Sequence, residues 1–127
     1  MKSALELLVI AGGGAFGALF RYFIAHASGW LFKGPFPWGT FLANLVGCLL
    51  IGLMLGGEHD QKSEWVRLGF GIGFLGSLTT FSTFGADTVK HAIDGNWSVA
   101  AINVTANLMV CVSAVALGIA IGKKIWV

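Results

Sequence analysis

Of the chain's 127 residues, 56% are hydrophobic and only 11% charged, the net charge is +2, and mean hydropathy is +0.80. That balance excludes an ordinary soluble domain, in which about a quarter of residues are charged. A net charge this small also gives no reason to expect nucleic acid or another soluble polyanion as a partner.

The first predicted element is a helix over residues 4–26. Its apolar part is short, but Glu6 can face the interface and Arg21 can snorkel to the headgroups, which makes the helix long enough to span. Lys2 ahead of an apolar run, with small residues at 11–15, is also the pattern of a signal peptide. Glu6 lies inside that run, however, and Gly13 and Gly17 form a face on which another helix can approach closely, so packing accounts for the small residues better. Three charge-free runs follow, over residues 38–57, 68–86 and 97–122. Each reaches the roughly 20 residues needed to cross about 30 Å of hydrocarbon. The expected fold is therefore an all-α membrane protein of four transmembrane helices, with residues 1–127 forming one domain and short connections at 28–37, 58–67 and 90–96. Trp30, Trp38, Trp65, Trp97 and Trp126 all fall at or beyond predicted helix ends, where an amphipathic ring favours the headgroup layer.

Orientation is weakly specified. With four spans, Lys2, Lys62, Arg67, Lys123 and Lys124 lie on one side and Arg21, Lys33 and Lys90 on the other. A bias of five against three lets the chain insert both ways, so that two copies of opposite orientation can pair about a twofold axis in the membrane plane. A single orientation with both termini cytoplasmic is the alternative.

Polar residues within apolar spans are expensive and point to function. Thr40 and Asn44 are four apart on the second helix, and Asn103, Asn107 and Cys111 repeat that spacing on the last, so each set shares a helix face. Such stripes either line a narrow polar track or make interhelical hydrogen bonds worth about 0.6 kcal/mol each. The third span holds the sequence Gly76-Ser-Leu-Thr-Thr-Phe-Ser-Thr-Phe-Gly85, a poor helix former whose hydroxyls can bond back to the backbone. We expect the helix to open there, between Gly76 and Thr80. Irregular backbone at that depth lines a cavity or binding site, and carbonyl oxygens without nearby carboxylates suit a hard monovalent cation. Phe81 and Phe84 share a face, and a phenyl ring offers its positive edge to an anion and its negative face to a cation. Asp87, about one turn further on, is placed near the mouth of such a track.

Cys48 and Cys111 lie in separate apolar segments, where buried free thiols are expected and no disulfide follows. His26, His59 and His91 have no metal-ligand spacing. No nucleophile, base and orienting acid come together, and phosphate loops and basic nucleic-acid stripes are missing, so neither an enzyme nor a nucleic-acid binder is expected.

The nonapeptide Gly76-Ser-Leu-Thr-Thr-Phe-Ser-Thr-Phe84, with Trp38-Gly-Thr-x-x-x-Asn44-x-x-Gly47 and Gly13-x-x-x-Gly17-x-x-x-Arg21-Tyr22, resembles the Fluc (CrcB) family of bacterial fluoride channels. The resemblance covers all four predicted helices. It implies an antiparallel, dual-topology homodimer in the bacterial plasma membrane, with two fluoride pores and a central structural sodium ion. By motif position, the pore phenylalanines fall on Phe81 and Phe84 and the pore asparagine on Asn44. The backbone carbonyls of Gly76 and Thr79 take the sodium role, Thr40 and Ser82 supply hydroxyls beside the pathway, and Arg21 falls at the vestibule or in a structural role. In the last helix the family commonly has an aromatic or histidine followed by hydroxyls, whereas this chain offers Asn103, Asn107 and Cys111. The implied activity is passive export of fluoride that enters as hydrofluoric acid and ionises. The main rival, a small dual-topology drug and proton transporter, needs a central carboxylate in helix one, and Glu6 is too close to the start.

Overall fold

The computed structural model describes residues 3–57 and 63–125; Lys2, His59, Lys62 and Trp126, used above for charge balance, metal spacing and interface anchoring, lie outside the described residues. The described chain is helical without strands: α1 (Ala4–Leu31), α2 (Trp38–Gly56), α3 (residues 64–78), α4 (Phe81–Ile93) and α5 (Trp97–Ile125). Among the described residues three helices, α1, α2 and α5, are individually long and apolar enough to cross a membrane. Their outward faces carry large apolar side chains such as Leu8, Phe16 and Met109, which fits hydrocarbon as the surrounding solvent.

α1 starts on a capping box: the Ser3 hydroxyl accepts from the Glu6 amide at 3.3 Å, and the Glu6 carboxylate accepts from the Ser3 amide at 3.1 Å. Glu6 therefore belongs to the helix terminus, where it satisfies backbone donors that the helix leaves free. α1 runs five residues beyond the predicted end at His26. The small and polar residues Ala27, Ser28 and Gly29 do not stop it, because the Ser28 hydroxyl donates back to the Ala25 carbonyl at 2.8 Å and Ser28 is buried against Gly39 of α2. The connection shrinks to residues 32–37, where Gly34 turns the chain at φ +119°, a value that favours glycine. Phe32 and Phe36 then pack on Trp38 with ring centroids 4.5 and 4.8 Å apart.

The later helices also overrun their charge-free cores. α3 begins at Glu64 because the Ser63 hydroxyl accepts from the Trp65 amide. α5 continues to Ile125, taking Lys123 and Lys124 into its last turn, where positive charge meets the negative helix end.

Two glycine seams set the packing. At the α1–α3 seam, a Cβ on Gly13 would strike the Gly69 carbonyl and one on Gly17 the Phe74 carbonyl, so these backbones touch directly. The α2–α5 seam is a parallel ladder. Asn44 bonds Asn107, 63 positions away, and the same offset recurs where Gly52 meets the Val115 carbonyl and Gly56 the Ile119 carbonyl. Without a hydrophobic drive between helices in lipid, close backbone approach at small residues is what holds them together. Ala43, Leu75 and Leu78 are buried where α2 and α3 meet, with Ile24, Val46 and Phe74 packed around them.

Two departures from regular α-helix bear on the site. Residues 67–75 of α3 and 106–110 of α5 wind as π-helix, which widens the turns and shifts the side chains that follow. Thr79 and Thr80 are extended, with φ −81°, ψ 153° and φ −150°, ψ 114°, and separate α3 from α4.

Candidate functional site

Two extended residues between helices leave backbone groups with no helical partner, and in an apolar setting each unpaired group costs several kcal/mol. Asn44 supplies the partners for Thr80. Its Oδ1 accepts from the Thr80 amide at 2.8 Å, and its Nδ2 donates to the Thr80 carbonyl at 3.2 Å. The second Nδ2 hydrogen goes to Asn107 Oδ1 at 3.0 Å. One side chain on α2 thus ties the interruption to α5.

The hydroxyls of the Thr-rich motif stabilise the two helix ends. Thr79 Oγ1 donates to the Leu75 carbonyl at 3.0 Å, and its methyl group lies where a side chain on Gly47 would otherwise be. Thr80 Oγ1 accepts from the Thr83 amide at 3.2 Å, which makes it the N-cap of α4. It also donates to Thr83 Oγ1 at 3.0 Å and lies 3.2 Å from Ser82 Oγ. Ser82 is therefore part of the α4 cap, on an exposed position.

A relay continues down α5. Asn107 Nδ2 donates to both the carbonyl and Oδ1 of Asn103 at 3.0 Å. Asn103, fully buried, donates to Thr88 Oγ1 at 2.9 Å, and Thr88 in turn donates to the Phe84 carbonyl at 2.8 Å. Thr40 Oγ1 donates to Asp87 Oδ2 at 2.8 Å. Thr80, Asp87 and Thr88 therefore suspend α4 from the polar faces of α2 and α5.

Beside this network lies a groove of about 440 Å³ between α2, α3, α5 and the start of α4. Of the sequence-predicted residues it brings together Asn44, Gly76, Thr79, Phe81, Phe84 and Asn107. The rings of Phe81 and Phe84 are 5.4 Å apart and tilted by 54°, and Phe81 is 81% exposed on the single chain. Thr40, Ser82, Asn103 and Asp87 do not line the groove; they fasten α4. Arg21 stands half-buried on α1, away from it. The predicted Asn103–Asn107–Cys111 stripe divides accordingly: Asn107 and Cys111 face the groove, while Asn103 is buried against α4.

Sequence reasoning missed Thr88 and the partnership of Thr80 with Asn44. The spacing of Thr88 four residues after Phe84 is the signal of hydroxyl back-bonding, but nothing local announces its bond to Asn103. It also left Cys48 and Cys111 apart, whereas both line the groove.

In chemical terms the groove offers amide groups, hydroxyls, thiols and phenyl edges, with no charged side chain in its lining. Among the described residues no three His, Cys, Asp or Glu side chains cluster as metal ligands. For a cation, the neutral oxygens near Gly76 and Thr79 are the relevant donors. Gly76 is exposed with open space about its Cα, and Thr79, half-buried, leaves the helical path. That donor set fits a monovalent cation better than calcium or magnesium.

Comparison with known proteins gives a family match over residues 8–119, to the model described as CrcB-like protein, Camphor Resistance (CrcB). Relatives named fluoride-specific ion channel FluC occur in Shewanella sp. (strain ANA-3) and Shewanella oneidensis. Each is 42% identical over 114 residues, covering 89% of this chain and 92% of the relative. A Shewanella woodyi relative of the same name is 40% identical over the same length.

Proposed function

Because the chain belongs to the CrcB family, we propose that it is a fluoride-selective channel, not an enzyme, through which cytoplasmic fluoride leaves a bacterial cell passively. The observation that carries this reading is the groove itself, where the paired rings of Phe81 and Phe84 stand beside the amides of Asn44 and Asn107 in a lining free of charge. Fluoride is small and strongly hydrated, so a selective path must replace its water with convergent donors. Phenyl edges and amide N–H groups do this without a cation that would trap the ion, and weak donors gain strength in a low-dielectric wall.

Both Nδ2 hydrogens of Asn44 are engaged in the single chain. We assign to fluoride the place of Asn107 Oδ1 as acceptor of the second hydrogen, because that exchange leaves the Asn44–Thr80 pair, and hence the fold, intact. Thr40 and Ser82 act beside the pathway through the α4 anchors, Asn103 through Asn107, and Asp87 and Arg21 belong to the vestibule or its frame.

The assembly we propose is an antiparallel homodimer of four-span chains in the bacterial plasma membrane, with α3 and α4 as the two halves of a centrally broken third span. The near balance of charge and the exposure of Phe81 support it. Two carbonyls per chain, from Gly76 and Thr79, would hold a sodium ion on the twofold axis, where it supplies a fixed positive charge joining the protomers. A drug and proton transporter is disfavoured because Glu6 is engaged in the α1 cap.

The test is efflux from proteoliposomes loaded with fluoride or with chloride. Fluoride efflux with chloride retained is the expected result; equal release of both, or of neither, contradicts the proposal.

A further inference from the structure

The α2–α5 ladder carries a rung to which the channel reading gives no role. Cys48 lies four residues after Asn44 and Cys111 four after Asn107, so the pair repeats the 63-residue offset of the Asn44–Asn107 bond. One turn further, Gly52 meets the Val115 carbonyl, so the two backbones are held close on the far side of the thiols. Cys48 is half-buried, Cys111 is buried, neither is in a disulfide, and both face the groove. The register of the ladder and the shared lining therefore put the two residues on one rung, beside one another in the groove wall.

We propose that Cys48 and Cys111 form a two-sulfur site for a soft divalent metal ion, Hg²⁺, in the wall of the groove. Softness selects thiolate over the amide and hydroxyl oxygens nearby. Coordination number selects further. Zinc asks for four ligands in tetrahedral geometry, and the groove lining contains no further Cys and no His, Asp or Glu to complete such a set. A two-coordinate ion needs only the pair. Charge makes the same choice: each thiol gives its proton to water as a sulfur–metal bond forms, so two thiols and one divalent ion yield a neutral centre and two released protons. A monovalent soft ion would leave a net negative charge in an apolar wall, which is costly. Resting on the channel reading, the bound metal one turn from Asn44 and Asn107 narrows the track and lowers fluoride efflux.

The experiment treats reduced, purified protein with mercuric chloride, removes free metal, and challenges it with glutathione as a competing monothiol. Before glutathione is added, elemental analysis should find one mercury per chain, and X-ray absorption should count two sulfur neighbours per mercury. Because the second sulfur binds intramolecularly, retention should survive about 100-fold more glutathione than in Cys48→Ala or Cys111→Ala. One sulfur from the protein, or equal retention in the variants and the unsubstituted chain, overturns the site. If a variant fails to fold, the sulfur count on the unsubstituted chain decides by itself. In proteoliposomes, mercury should lower efflux from the unsubstituted chain and produce no further fall in the variants; efflux unchanged by retained metal overturns the blockade. An untreated protein that passes no fluoride overturns the channel reading, and the metal count still judges the site.

Discussion

Asn44 holds both backbone groups of Thr80, accepting from its amide at 2.8 Å and donating to its carbonyl at 3.2 Å across 36 residues of sequence. A carboxamide is the side chain that can do both, since it offers an acceptor and a donor side by side. The cost of interrupting a helix at Thr79 and Thr80 is thus offset from a neighbouring helix.

Asn44→Ala should leave that amide and carbonyl unpaired and lower stability by about 1–3 kcal/mol for each buried group left alone. Asn44→Asp keeps the acceptor but turns a negative charge toward the Thr80 carbonyl and into the path of an anion. It should abolish fluoride flux. Thermal unfolding in detergent checks the first and liposome efflux the second; a melting temperature unchanged in Asn44→Ala would show that water replaces the side chain.

Thr40→Val should loosen one of the two attachments of α4 to α2 by removing the donor to Asp87, a contact to a charged group worth about 1.5–3 kcal/mol. In an Asp87→Asn background the same substitution should cost less. A double-mutant cycle on unfolding measures the coupling, and a coupling of zero would mean that the hydroxyl and carboxylate do not depend on each other.

Phe81→Ile and Phe84→Ile each remove a ring edge while keeping apolar bulk. Both variants should elute as folded protein and pass fluoride far more slowly than the unsubstituted chain. Flux near the original in both would return the rings to packing.

Both orientations should occur in one membrane, given the balance of charge across the loops. A Ser63→Cys variant in a background without other reactive thiols should be labelled about half from each side, as near-equal insertion requires. Labelling confined to one side would remove the antiparallel dimer.

Sodium, if held by the Gly76 and Thr79 carbonyls, belongs to the assembly and is not cargo. Reconstitution with a large monovalent cation in place of sodium should weaken the dimer or its activity, while no sodium crosses with fluoride. Sodium flux coupled to fluoride efflux would contradict the assignment.

The membrane class of this chain, the location of its apolar helices and the unusual character of residues 76–85 were legible in sequence because they depend on local properties: charge-free length, residue size and helix propensity. Even so, α1 passed the predicted end at His26 because Ser28 finds its partners in Ala25 and Gly39, one of them on another helix. Asn44, Phe81 and Phe84, named by the motif reading, line one groove together with Asn107, which that reading set apart, whereas the use of Thr40, Ser82 and Asn103 as anchors for α4 was not visible. Spacing along one helix says which residues share a face. It does not say what that face meets. The Asn44–Thr80 pair, the placing of Cys48 and Cys111 in one groove wall and the division of the α5 stripe were decided only when the glycine seams brought backbones together, because a hydrogen bond needs its partners within about 3 Å and no local pattern encodes that distance.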